Sequence, residues 1–123
     1  MKKLLLIALI ALSGCSFIMP SKWDDNQSKA IVDLQLSTRH LDCAGDQKAQ
    51  LAVIASQVEW FDLYSRSRGT TDMEKLNDVL AKTVKEYQDR LDKGPVSPMY
   101  CDLKKKVLTQ QADIIAHAVM ARF

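Results

Sequence analysis

Glycine and proline are scarce in this chain, with four and three among 123 residues. Apart from Gly14, the glycines are Gly45, Gly69 and Gly94, and the prolines are Pro20, Pro95 and Pro98. So few breakers leave segments of about twenty residues free to form helices. Histidine is also rare. His40 and His117 are the only two, and no Glu-x-x-His occurs, which removes the ligand pattern of a di-iron bundle. There is no Gly-rich phosphate loop, no Gly-x-Ser-x-Gly elbow and no His-Glu-x-x-His, so the familiar routes to phosphoryl, acyl and zinc chemistry have no foothold. The chain therefore reads as a protein without an active site, cofactor, metal or small-molecule substrate. A long apolar run is missing too. Leu4 to Leu12 is unbroken but reaches only about half the twenty residues a bilayer-spanning helix needs.

That short run has a different use. Lys2 and Lys3 precede it as a basic n-region, and Ser13 and Gly14 follow it as the small residues of a cleavage site. The tetrapeptide Leu12-Ser13-Gly14-Cys15 resembles the lipobox of bacterial lipoproteins. The resemblance implies cleavage before Cys15, diacylation of its thiol and a further acyl chain on the new amino group. Residues 1–14 are then a signal peptide, residues 15–23 a lipidated tether and residues 24–123 the folded domain. Ser16, in place of the Asp common in lipoproteins retained in the inner membrane, points by the family's sorting rule to the outer membrane, facing the periplasm. Stable attachment needs more than one acyl chain, and this modification supplies it.

Processing changes the charge. The full chain carries 17 basic and 15 acidic residues. Loss of Lys2 and Lys3 leaves 15 against 15, with no concentrated basic face to attract nucleic acid. It also changes the cysteine count. With Cys15 committed to lipid, Cys43 and Cys101 remain, an even pair in an exported chain, and a structural disulfide is expected. Their spacing is not that of a Cys-x-x-Cys redox pair, and two distant thiols make a poor metal site.

Four amphipathic segments follow. The first is expected from about Asp24 to Cys43, with Ile31, Leu34 and Leu41 on one face, Gly45 at a left-handed C-cap and Asp46 as the next N-cap. The second carries Leu51, Ile54, Val58 and Phe61, broadened by Ala55 and Trp60. Thr71-Asp72-Met73-Glu74 reads as a capping box. The third carries Met73, Leu76, Leu80, Val84, Tyr87 and Leu91. Ser97-Pro98 is an N-cap with proline at the first helical position, and the fourth bears Val107, Leu108, Ile114, Ile115, Ala118 and Val119. Helices of similar length with short turns predict an all-α, up-down-up-down four-helix bundle with one disulfide. In that topology the end of the first helix and the start of the fourth share one end of the bundle, where Cys43 and Cys101 fall. The tether places the opposite end, with Arg66, Arg68 and Arg122, nearest the membrane.

Within the bundle His40 and His117 belong to opposite ends and cannot share a ligand. Glu59 and Asp62 read as a solvated face, and Lys104-Lys105-Lys106 as a solvated run able at most to meet an acidic partner. Trp60 and Tyr64, at i and i+4, share a stripe beside the second seam, for which core packing is the favoured reading and covering the bundle's edge or meeting a partner the alternative. Trp23 sits where the tether enters, at the membrane interface or capping the bundle.

The layout of Leu12-Ser13-Gly14-Cys15, a helix ending at Cys43 and a last helix starting near Cys101 resembles the pilotins of type II secretion. Those are small outer-membrane lipoproteins that escort a secretin subunit. The resemblance implies a non-catalytic binding or assembly factor with an envelope protein partner, whose amphipathic helix enters a groove between helices. Trp60, Tyr64 and Tyr87 are candidates to line it as aromatics of this sequence, with no residue carried over from the family. The small size and lipobox are equally those of a phage-encoded envelope lipoprotein, for superinfection exclusion or as the outer-membrane half of a spanin.

Overall fold

The structure is a computed structural model that describes residues 23–122. The expected signal peptide, Cys15, nearly all of the expected tether and Phe123 lie outside the described residues. Four helices make up the fold: α1 (Asp25–Arg39), α2 (Gln47–Ser67), α3 (Thr71–Asp92) and α4 (Pro98–Met120). Each adjoins its neighbours in the chain and α1 closes the ring against α4, so α1 and α3, like α2 and α4, stand on diagonals. This is the expected up-down-up-down bundle. The core is built from the inward stripe of each helix: Ile31 and Leu34, then Leu51, Ile54, Val58 and Phe61, then Met73, Leu80, Val84 and Tyr87, then Leu108, Ala112, Ile115 and Val119, all buried.

The expected cysteine pair is bonded. Cys43 and Cys101, 58 residues apart in sequence, form a disulfide with their Cα atoms 5.8 Å apart. Cys101 is fully buried in the first turn of α4. Cys43, however, does not end a helix. α1 stops at Arg39, with His40 as C-cap, and Leu41 folds back as a buried side chain over the helix end. Gly45 is not left-handed; the positive-φ glycines of the described chain are Gly69 and Gly94. Side chains close this turn instead. Gln50 Oε1 accepts from the Asp42 N–H at 2.7 Å, and Gln50 Nε2 donates to the Asp42 carbonyl at 3.0 Å. Asp46 is the N-cap of α2 as expected, accepting from the Ala49 N–H at 3.1 Å.

The α2–α3 turn also departs from the sequence reading. The N-cap of α3 is Thr70, not Thr71, and no side chain caps it. The Thr70 hydroxyl is buried and engaged elsewhere, donating to the Ser65 carbonyl at 3.0 Å and accepting from Gln27 Nε2 at 3.0 Å. A buried amide needs its partners, and Gln27 finds both Thr70 and Ser65 (3.3 Å). This demand takes the cap away from the local motif. Gly69, at φ +69°, makes the reversal. Ser97 and Pro98 do start α4 as read from the sequence.

Candidate functional site

α2 carries two apolar stripes. One, of Leu51, Ile54, Val58, Phe61 and Ser65, is buried. The other, of Ala49, Val53, Ser56, Trp60, Leu63 and Ser67, advances by alternating steps of four and three residues and is exposed throughout. Val53, Trp60 and Leu63 are each half or more open to solvent. This second stripe contains no charge. The charged residues of α2 are Lys48, Glu59, Asp62 and Arg66, and at 100° per residue all four lie on the side turned toward α3. There Lys48 meets Asp92 at 3.8 Å, and Arg66 pairs with Asp62 at 2.9 Å, Asp78 at 3.6 Å and Glu74 at 4.0 Å. The solvent face of α3 is the ordinary case, with Lys75, Asp78, Lys82, Lys85, Glu86 and Asp89 exposed along it.

On its other flank α2 meets α1 across an open hollow of about 360 Å³, lined by Asn26, Lys29, Ala30, Asp33, Gln57 and Trp60. Trp60 forms its wall and does not swing freely. Its ring stacks on Tyr64, with centroids 5.0 Å apart and planes 7° from parallel. The Tyr64 hydroxyl donates to the Asp24 carboxylate at 3.0 Å and accepts from Asn26 Nδ2 at 3.0 Å. Asp24 is in turn the N-cap of α1, accepting from the N–H groups of Asn26 (2.9 Å) and Gln27 (3.1 Å), and it pairs with Arg68 Nε at 3.1 Å. A chain of contacts thus runs from the α1 cap to an exposed indole. A fixed aromatic side chain loses little entropy on binding, which suits it to anchor a partner.

Asp24 is the keystone of that chain, and its acidity shows it. Burial acts to raise its pKa, but the bonds from Gln27, Tyr64 and Asn26 and the charge of Arg68 outweigh it and hold the carboxyl below the usual carboxylate range. A depressed folded-state pKa contributes stability that is fully present above the unfolded value of about 3.9 and is lost as pH falls through the folded one. Replacing Asp24 with Ala is expected to cost about 1–2 kcal/mol at neutral pH. Urea midpoints measured against pH should show the two proteins converging in acid. Curves that stay parallel down to the acid transition would contradict this role. Asp72, beside Arg122, and Asp113, beside Gln35 and Arg39, are shifted the same way, so the variant retains part of the acid sensitivity.

The sequence-predicted residues divide sharply. Trp60 and Tyr64 come together on the α1–α2 edge, and Trp60 is exposed rather than part of the seam. Tyr87 does not join them. It is fully buried in α3, its hydroxyl donates to Gln47 Oε1, and its ring meets Tyr100 edge-on at 5.6 Å. Burial pushes its pKa up to about 12. Tyr87 therefore belongs to the core, because the seam of α3 points it inward and Gln47 satisfies its polar tip. His40 and His117 are both exposed, and no group of three His, Cys, Asp or Glu among the described residues is placed to hold a metal ion. Of the lysine run, Lys104 folds against the Tyr100 ring at 5.6 Å and reaches Glu86 at 3.9 Å. Of the broad stripe of α4, Leu108, Ile115 and Val119 are buried and Val107 and Ala118 partly so, while Ile114 is 57% exposed.

Val53 and Leu63 were missed from the sequence, as was the part Asp24 plays. The signal for the first two is the absence of charge at six positions on one helix face. No protein-family model, curated protein or solved structure matches the chain.

Proposed function

We propose that this chain is an outer-membrane lipoprotein, anchored through Cys15 and facing the periplasm, whose bundle acts as a non-catalytic binding or assembly factor of the pilotin kind. The observation that carries the reading is the exposed, uncharged stripe of α2 backed by the fixed Trp60–Tyr64 stack. Steps of four and three residues are those by which one helix seats another, and Ser56 leaves space between Val53 and Trp60 for a side chain of an incoming helix. The partner is then an envelope protein that presents an apolar helical seam. No acidic or basic complement is required of it, because the stripe has no charge to match.

A photo-crosslinking residue in place of Trp60 tests this in cells. It is expected to capture one envelope protein through an apolar helical segment, while the same residue in place of Lys82, on the charged face of α3, captures none. Equal capture from both positions, or none from position 60, would contradict the docking site.

A further inference from the structure

A second exposed indole lies near the end of α2. Trp23, itself 42% exposed, stands at the start of α1 beside the end of α2, where Asp24 and Asn26 bond Tyr64. Both tryptophans of the chain thus lie toward the end of the bundle that the preceding chain enters. The seven residues between Cys15 and Trp23 reach at most about 25 Å when fully extended. That is close to the length of the stripe itself, since Ala49 to Ser67 advances about 27 Å along the helix. A bundle on so short a lead can stand on its end or lie on its side, and its surface decides which. A side bearing lysine and aspartate at every turn, as α3 does, gains nothing from lipid. A side bearing Val53, Trp60 and Leu63 with no charge gains by burying them at the headgroup boundary, where tryptophan is enriched.

We propose that, while no partner occupies it, the α2 stripe rests against the lipid surface, with the bundle lying on its side and α4 turned away. This rests on the reading of Cys15 as a lipid anchor. Covalent attachment makes the contact intramolecular, so a few apolar side chains suffice where free binding would need many more. The membrane then shields the docking stripe, and a partner helix must displace lipid to reach it. The hydrophobic face is never presented bare to the periplasm.

The test uses the full acylated chain, after mass spectrometry of Cys15, in vesicles of phosphatidylethanolamine and phosphatidylglycerol with brominated acyl chains. Trp23→Phe leaves Trp60 as the sole tryptophan. Its emission should be largely quenched relative to unbrominated vesicles. Adding Leu63→Glu should restore most of it, while Lys82→Glu should change nothing. Leu63 is exposed, so the glutamate leaves the core intact, which circular dichroism checks. An acylated, vesicle-bound chain whose Trp60 is unquenched overturns the inference and leaves the anchor standing. Equal quenching with and without Leu63→Glu overturns it too. Absence of acyl chains from Cys15 overturns the anchor and the inference with it.

Discussion

Reduction of the Cys43–Cys101 bond is expected to lower the stability of the bundle by about 4 kcal/mol, because the bond closes a long loop in the unfolded chain. The separation of 58 residues sets that magnitude. Domains of this size are stable by only about 5–15 kcal/mol, so the loss is a large fraction of the whole, and the melting temperature should fall by roughly 15–30 °C. Between α1 and α4, about 18 Å from the bond, Asp113 receives Gln35 Nε2 at 2.8 Å and Arg39 Nη2 at 2.8 Å, but both contacts are partly exposed and neither replaces a covalent closure. The Cys43→Ala/Cys101→Ala pair should behave like the reduced protein. Urea unfolding with and without reductant checks the prediction. A midpoint that does not move after the bond is shown to be open would contradict it.

Two adjacent residues should respond in opposite ways to truncation. Phe61 is fully buried in the α2 seam, so Phe61→Ala removes a large core side chain and should cost about 3–5 kcal/mol. Trp60, next to it, is half exposed. Trp60→Ala forfeits the stack on Tyr64, worth about 0.5–1.5 kcal/mol, and leaves the Tyr64–Asp24 bond in place. Its main effect should be on what the α2 stripe touches: loss of crosslinking to the envelope partner from a photo-crosslinking residue placed at Leu63. Chemical unfolding separates the two, and equal destabilisation would show that Trp60 is a core residue after all.

The architecture was legible in the sequence for a simple reason. Four breaker-free segments with apolar residues at helical steps can bury those stripes in few ways, and the Cys43–Cys101 pair is compatible with a ring in which α1 adjoins α4. Local caps were legible where nothing competed for the capping side chain, as at Asp46 and Ser97. They failed where tertiary demand took the hydroxyl, as at Thr70, whose partner Gln27 is 43 residues away. Tyr87 reads both as part of the α3 seam, where it is buried, and as a groove residue, because period alone does not say whether an aromatic on a seam stops at the edge or fills the centre. Gln47 decides it, from another helix. The stripe of α2 was half legible. Trp60 and Tyr64 stood out as aromatics, but Val53 and Leu63 were passed over until the folded bundle left them more than half exposed.

The lipid anchor depends on Cys15, and intact-mass spectrometry of the chain extracted from membranes tests it directly. The predicted result is a mature protein beginning at Cys15 and carrying acyl chains on both its thiol and its amino group, with the Cys15→Ala variant unacylated. A chain that retains residues 1–14, or one that begins at Cys15 with a free thiol, would contradict it.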